Sequence, residues 1–208
     1  MTAVAVAAER AFGPNVAKAA RYAELLATVG IERGLVGPRE ADRIWSRHLF
    51  NSVVMTPLIP QAVRVVDLGS GAGLPGIPVA LARPDLELVL LEPMARRVQF
   101  LEECVTELEL SNVTVARGRA QDGAGKLTHV VVARAVAPLS TLAELALALC
   151  RPGGVLLALK GLKAADEAAE LNATERFAAI VHPLVDAIGE TATVVEVRRK
   201  TKQDRKAP

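Results

Sequence analysis

The spacing of apolar residues changes near residue 63. Over residues 1–62, Ala, Leu, Arg and Glu dominate and apolar positions recur every three or four residues, which predicts helices. Val16 to Val29 reads as one helix, capped at Pro14-Asn15 and ended by Gly30. Gly34, Gly37 and Pro38 mark a loop, and a second helical region is expected from Arg39 to Leu58, broken near Ser46–Leu49 and closed by Pro57 and Pro60. From Arg64 onward short β-branched or leucine-rich runs take over: Arg64–Leu68, Glu87–Leu91, Val113–Val115, His129–Ala133 and Val155–Leu159. Their starts lie 16 to 26 residues apart, enough for a helix between most pairs. One such helix is explicit, because Met94, Val98, Leu101, Val105 and Leu108 form a stripe opposite Arg96, Gln99, Glu103 and Glu107. Strands apolar on both faces and separated by helices predict a parallel, doubly wound α/β sheet. Phe177–Val181 and Thr191–Val197, flanking Pro183 and Gly189, predict a closing antiparallel pair, for seven strands in all. The expected division is an N-terminal helical extension (1–62), a Rossmann-like domain (63–198) and a C-terminal tail (199–208).

Composition narrows the class. The chain of 208 residues is 51% hydrophobic and 23% charged, so it can bury a core and is not disordered over most of its length. Charge is uneven. Arg198 to Pro208 hold six Lys/Arg and one Asp, leaving 19 bases and 22 acids in residues 1–197. Cys104 and Cys150 make no ligand spacing, which argues against a disulfide framework or a cysteine metal site. No signal peptide or membrane span is legible, and a cytoplasmic monomer without metal is the expectation.

Val65-Val66-Asp67-Leu68-Gly69-Ser70-Gly71-Ala72-Gly73-Leu74-Pro75-Gly76 is the most informative stretch, a strand running through four glycines into a helix near Pro75 or Gly76. Glycines there let the backbone turn sharply and lie against a ligand. Gly71-x-Gly73-x-x-Gly76 also satisfies the dinucleotide pattern, but Asp67 at the strand end would repel a pyrophosphate. A carboxylate suits S-adenosyl-L-methionine, whose amino and sulfonium groups are cationic. Glu92 ends the second strand, 21 residues after Gly71, where an acid accepts both ribose hydroxyls. Ala120-Gln121-Asp122 after the third strand is placed to line an adenine pocket. These residues point to a methyltransferase.

The acceptor is read partly by elimination. After the fourth strand stands Ala133-Arg134-Ala135-Val136-Ala137-Pro138, without the Asn/Asp-Pro-Pro-aromatic tetrapeptide common among exocyclic-amine methylases. Neither cysteine is placed as the nucleophile that pyrimidine carbon-5 chemistry needs. An acceptor with a free lone pair, such as guanine N7, needs neither device. Arg134 and Lys160 end strands four and five, at the edge where open α/β sheets bind ligands. Arg134 could hold the methionine carboxylate or guanine O6 with paired donors. Arg47, His48 and Lys160 are candidate RNA contacts, and Arg198, Arg199, Lys200, Lys202, Arg205 and Lys206 are candidate phosphate contacts.

Several stretches together resemble the bacterial 16S ribosomal RNA guanine-N7 methyltransferase family, also called the glucose-inhibited division protein B family. They are Arg47-His48-Leu49-Phe50-Asn51-Ser52, Gly69-Ser70-Gly71-Ala72-Gly73-Leu74-Pro75-Gly76-Ile77-Pro78, Leu91-Glu92-Pro93, Arg117-Gly118-Arg119-Ala120, Arg134-Ala135 and Leu159-Lys160-Gly161. The resemblance implies a Rossmann-like class I fold and methylation, with S-adenosylmethionine, of guanine N7 in the decoding-region loop of 16S rRNA on the 30S subunit. It also implies streptomycin resistance on loss of activity. It places Gly69, Leu74, Ala120, Gln121 and Arg134 at the cofactor. Where the family commonly has Asn-Leu-Thr, this chain has Gly34-Leu35-Val36. The rival readings are a methyltransferase of a small molecule or protein, disfavoured by the basic tail and Arg47/His48, and a non-catalytic RNA-binding module, disfavoured by intact Asp67, glycine loop and Glu92.

Overall fold

The computed structural model describes residues 2–122, 128–134, 137–201 and 204. Ala135, Lys202, Arg205 and Lys206, named above, lie outside them. Helix α1 (Ala3–Phe12) starts at Thr2, whose hydroxyl accepts from the Ala5 amide at 3.3 Å. Helix α2 (Val16–Leu25) widens into a π turn, Leu26–Gly30, but does not end at Gly30 as expected: helical backbone continues through Glu32, and the break comes at Gly34, with φ of 66°. Asn15 does not cap it. Its side-chain amide instead donates to the Leu81 carbonyl at 2.8 Å, docking α2 on the next domain. Arg39–Leu58 is helical but not one helix: a 3₁₀ stretch (Pro38–Arg43) and a π turn (Ile44–Phe50) run into the short α3 (Asn51–Val53). Trp45 packs between Phe12 and Phe50, with ring centroids 6.3 and 5.6 Å away, so these aromatics bind the extension together.

The sheet follows the expected alternation: β1 (Arg64–Leu68), α4 (Gly76–Ala82), β2 (Glu87–Glu92), α5 (Ala95–Glu107), β3 (Val113–Arg117), β4 (Thr128–Arg134), α6 (Leu139–Leu149), β5 (Cys150–Lys160), α7 (Ala164–Asn172), β6 (Phe177–Val185) and β7 (Thr191–Arg199). Spatial order is β3-β2-β1-β4-β5-β7-β6. Strands β1 to β5 are parallel, and β7 runs antiparallel between β5 and β6. The reversed strand is therefore internal, and β6 forms the edge.

Alternation along the strands explains their unbroken apolar runs. Val65, Leu88, Leu90, Val130 and Val132 face the layer built with α1, α2, α4 and α5. Val66, Val89, Leu91, Val131 and Ala133 face α6 and α7. The carboxyl ends of β1, β2, β4 and β5 then gather Leu68, Glu92, Arg134 and Lys160 along one edge. No helix among the described residues is long and apolar enough to cross a membrane.

Candidate active site

The loop after β1 is shaped by its glycines and fastened from three sides. Gly69 and Ser70 donate their amides to the Leu91 carbonyl, at 2.9 and 3.2 Å. Asp67 accepts from the Gly76 amide at 3.0 Å, and Tyr22 of α2 donates to the Ala72 carbonyl at 2.7 Å. At Gly73, with φ of 96°, a Cβ would lie 2.5 Å from Ile77 and 2.8 Å from the Tyr22 hydroxyl, so only glycine fits. Gly71 differs: its φ is 59°, and a Cβ would meet nothing closer than the Gly69 carbonyl at 3.8 Å. That open side faces a cleft of about 400 Å³ lined by Gly69, Ser70, Gly71, Leu74, Glu92 and Arg134. Tyr22 is fully buried, so Tyr22→Phe should leave the Ala72 carbonyl unpaired and cost about 1–3 kcal/mol. Denaturant unfolding should show that loss, and calorimetry should show weaker cofactor binding.

Glu92, only 1% exposed, is aimed by two backbone amides: Gly71 donates to Oε2 and Met94 to Oε1, each at 3.0 Å. Arg97 stands 3.8 Å away. Asp67 does not line the cleft. It is fully buried behind the loop, and its Oδ1 has no hydrogen-bond partner among the described residues. Burial raises its carboxyl to about 7, against the hydrogen bond from the Gly76 amide, which favours the ionised form. These features fit S-adenosylmethionine: glycines that admit close approach, an acid on the cleft wall and an unsatisfied buried carboxylate that favours nearby cations.

Arg134 borders this cleft and a larger one of about 760 Å³, whose walls include Arg47, His48, Asn51, Lys160 and Thr193. One Arg134 nitrogen, Nη2, lies 2.6 Å from His48 Nδ1, and Nη1 donates to the Arg47 carbonyl at 3.2 Å. Arg47 is the exposed member, its guanidinium 3.3 Å from Glu40.

Several sequence expectations need correction. His48 is buried, with one ring nitrogen against Arg134 and the other 3.2 Å from Glu40, so it supports other side chains instead of meeting RNA. Lys160 is also committed: its ammonium lies 2.8 Å from Glu167 and donates to the Ala137 carbonyl at 3.2 Å. Among the described tail residues, Arg198, Arg199 and Lys200 are strand and packing elements. Arg198 is paired with Asp204 at 2.7 and 2.9 Å, Arg199 donates to the Leu147 carbonyl, and Lys200 donates to Asn172 and Thr174 carbonyls. Their position is decisive. Because β7 is antiparallel, Thr193 pairs with Lys160 at the cleft while Val197 pairs with Leu156, carrying Arg198 and Arg199 toward the opposite sheet edge. The run from Thr193 to Arg199 spans about 20 Å. Strand β7 also extends to Arg199, past the expected boundary at 198.

Ala120 and Gln121 form a 3₁₀ turn after β3, the first buried and the second exposed, and neither lines the cleft beside Gly71. Burial pushes the thiols of Cys104 and Cys150 up to about 12 and about 11, which keeps both protonated and unsuited to nucleophilic work. Leu35 and Met94 line the glycine cleft and Glu40 the larger one, none of them given a site role from the sequence. Glu40 had one legible signal, its position two helical turns before Arg47 and His48.

The fold recurs in solved methyltransferases. An O-methyltransferase from Bacillus cereus in complex with SAH aligns over 86% of this chain and 91% of its own, with a TM-score of 0.59 and 16% identity. The O-methyltransferase TomG from Streptomyces achromogenes, solved with SAM, covers 88% and 90%, with a TM-score of 0.58 and 16% identity. Sequence comparison is more specific. A ribosomal RNA small subunit methyltransferase G from Streptomyces coelicolor is 52% identical over 194 residues, 89% of this chain and 81% of the relative. One from Thermobifida fusca is 56% identical over 165 residues, 79% of this chain and 70% of the relative. The family model described as rRNA small subunit methyltransferase G matches residues 15–195, a span that holds the glycine loop, Glu92, Arg134 and the whole sheet except Glu196 to Arg199 of β7, and the chain belongs to that family.

Proposed function

We propose that this protein transfers the methyl group of S-adenosylmethionine to N7 of a guanine in the decoding-region loop of 16S rRNA, on the 30S particle, as a cytoplasmic monomer. Methyl transfer to small-subunit rRNA follows from the family; the atom, the particle and the monomer are the finer reading. The observation that carries it is the meeting of two clefts at Arg134, one walled by the glycine loop and Glu92, the other by Arg47. When bound, the cofactor supplies an electrophilic methyl on a sulfonium. Glu92 would accept from the ribose hydroxyls, the glycine backbone would admit the methionine end, and Asp67 would favour its positive charge. The Arg134 fork is suited to an oxygen acceptor beside the reaction, such as guanine O6. Alignment with water excluded is then the main catalytic device.

Guanine N7 presents a lone pair at neutral pH, so no side chain has to remove a proton. His48 could not readily serve: burial, then the Arg134 charge, lower it to about 4, leaving it neutral. Methyl transfer from labelled cofactor to 30S subunits lacking the modification, with mapping of the labelled base, tests the proposal. Label on another atom, or transfer to a small molecule or protein instead, would overturn it.

Two further outcomes are expected. Asp67 has a folded value of about 7 against 3.8 ordinarily, so its proton is held more tightly in the folded state. Its contribution to stability is present below the lower value, declines as pH rises to about 7 and is flat above. Asp67→Asn should remove that decline, making the free protein more stable than wild type at pH 8 while weakening cofactor binding. Unfolding at pH 5 and pH 8 checks the first part and calorimetry the second. For RNA, Arg47→Ala should flatten the salt dependence of 30S binding by about one unit of slope, and Arg199→Ala should leave it unchanged. Binding titrations across potassium chloride concentrations separate the two edges of the sheet.

A further inference from the structure

We propose that Glu40 is a positioning residue that acts through His48 to fix the direction of the Arg134 guanidinium at the junction of the two clefts. This rests on the function proposed above and adds a residue to it.

The chain of contacts dictates its own protonation. Arginine carries only donors, so the 2.6 Å contact from Arg134 Nη2 requires the lone pair of His48 Nδ1. The ring proton then sits on Nε2, which faces Glu40 Oε2 at 3.2 Å. Both of those atoms are buried and have no hydrogen-bond partner among the described residues, the pair being close but not aligned. Each is therefore the nearest remedy for the other's lost hydration. The other Glu40 oxygen lies 3.3 Å from Arg47 Nη1, and Arg134 Nη1 donates to the Arg47 carbonyl at 3.2 Å. Glu40 thus stands between two guanidiniums and one imidazole supplied by two other elements, β4 and the turn Ile44–Phe50.

The groups facing the ring are Arg134 from β4, Glu40 from the 3₁₀ stretch and Arg47 from its own turn. Glu40 is the one acid among them. Its removal takes the nearby acceptor away from a buried ring N–H and leaves two arginines without a shared counter-charge. The ring is then free to turn, and Arg134 loses its 2.6 Å restraint. Direct contact of Glu40 Oε2 with RNA is not available, because that oxygen is buried. An orienting carboxylate behind a histidine is a recurrent device for fixing a tautomer; here the group so held is a guanidinium.

A double-mutant cycle tests the relay. Glu40→Ala should lower kcat for methyl transfer to 30S subunits at least about tenfold, yet add less than about twofold in an Arg134→Lys background. Glu40→Gln, which keeps an acceptor for the ring N–H, should restore most of the rate. Glu40→Asp keeps the charge, withdraws it by one methylene and serves in the cycle if alanine does not fold. Independently of RNA, nitrogen-15 spectra of the free protein should show the Nε2–H form of His48 at neutral pH. In Glu40→Ala, or Glu40→Asp in its place, the two tautomers should average. Losses that multiply in the cycle, or an unchanged ring signature, would overturn the proposal. A wild-type protein inactive on 30S subunits would instead defeat the functional reading, with the spectra still deciding the relay.

Discussion

Arg134→Lys should lower methyl transfer by about a hundredfold with the fold intact. Lysine keeps the charge but lacks the planar fork. Two Arg134 contacts, to His48 Nδ1 at 2.6 Å and the Arg47 carbonyl at 3.2 Å, use separate nitrogens whose spacing an ammonium cannot reproduce. A group displaced by about 1 Å beside the reaction can cost a factor of that size. Steady-state rates with saturating cofactor, alongside circular dichroism, give the comparison. Turnover like that of wild type would remove Arg134 from the site.

The second large effect is on the fold. Gly76→Ala should destabilise the protein by roughly 3 kcal/mol, the upper end for overpacking a core. The added Cβ would lie 2.3 Å from Leu90 Cδ2 and 2.6 Å from Asp67 Oδ2. Neither neighbour can retreat, because Leu90 and Asp67 are both fully buried. The Gly76 amide would also be pushed off Asp67, loosening the start of α4. For a chain of this size the melting temperature should fall by about 6–12 °C, and a shift under 2 °C would show that the helix can slide aside. Gly71→Ala has open space on that side, so its cost is limited to the strained φ and to intrusion on the cleft.

What the sequence revealed follows from where its patterns are unambiguous. The parallel strands were legible because burial on both faces writes an uninterrupted apolar run, and β1 matches its expected bounds, Arg64–Leu68. β5 begins at Cys150, five residues before its expected start, because Pro152-Gly153-Gly154 reads as a loop although it forms an irregularity within the strand, with φ of 80° at Gly153, between the pairs Thr128–Cys150 and Val130–Val155. The interval from Arg39 to Leu58 carries a helical period, but that period does not separate α from wider or tighter turns. Glu92 and Arg134, which the structure places on the cleft wall, were legible because each is a charge closing an apolar strand. His48, Lys160 and Arg198 looked unpartnered for one shared reason. A charge looks free in sequence until its partner is known, and Glu40, Glu167 and Asp204 are brought to them only by folding. The destination of the basic tail was hidden likewise, since the direction of β7 is a property of pairing and not of its residues.

The position of Arg134 in both cleft walls has a thermodynamic consequence. If the two clefts hold cofactor and RNA as proposed, a guanidinium shared between them would keep them from titrating as independent compartments. Whatever factor a filled cofactor cleft imposes on RNA affinity, bound RNA imposes on cofactor affinity, because the two paths to the ternary complex close a cycle. In the proposed reaction, product release would obey the same reciprocity: once the methyl has left, the exchange of the spent cofactor and the departure of the RNA would be coupled through one side chain.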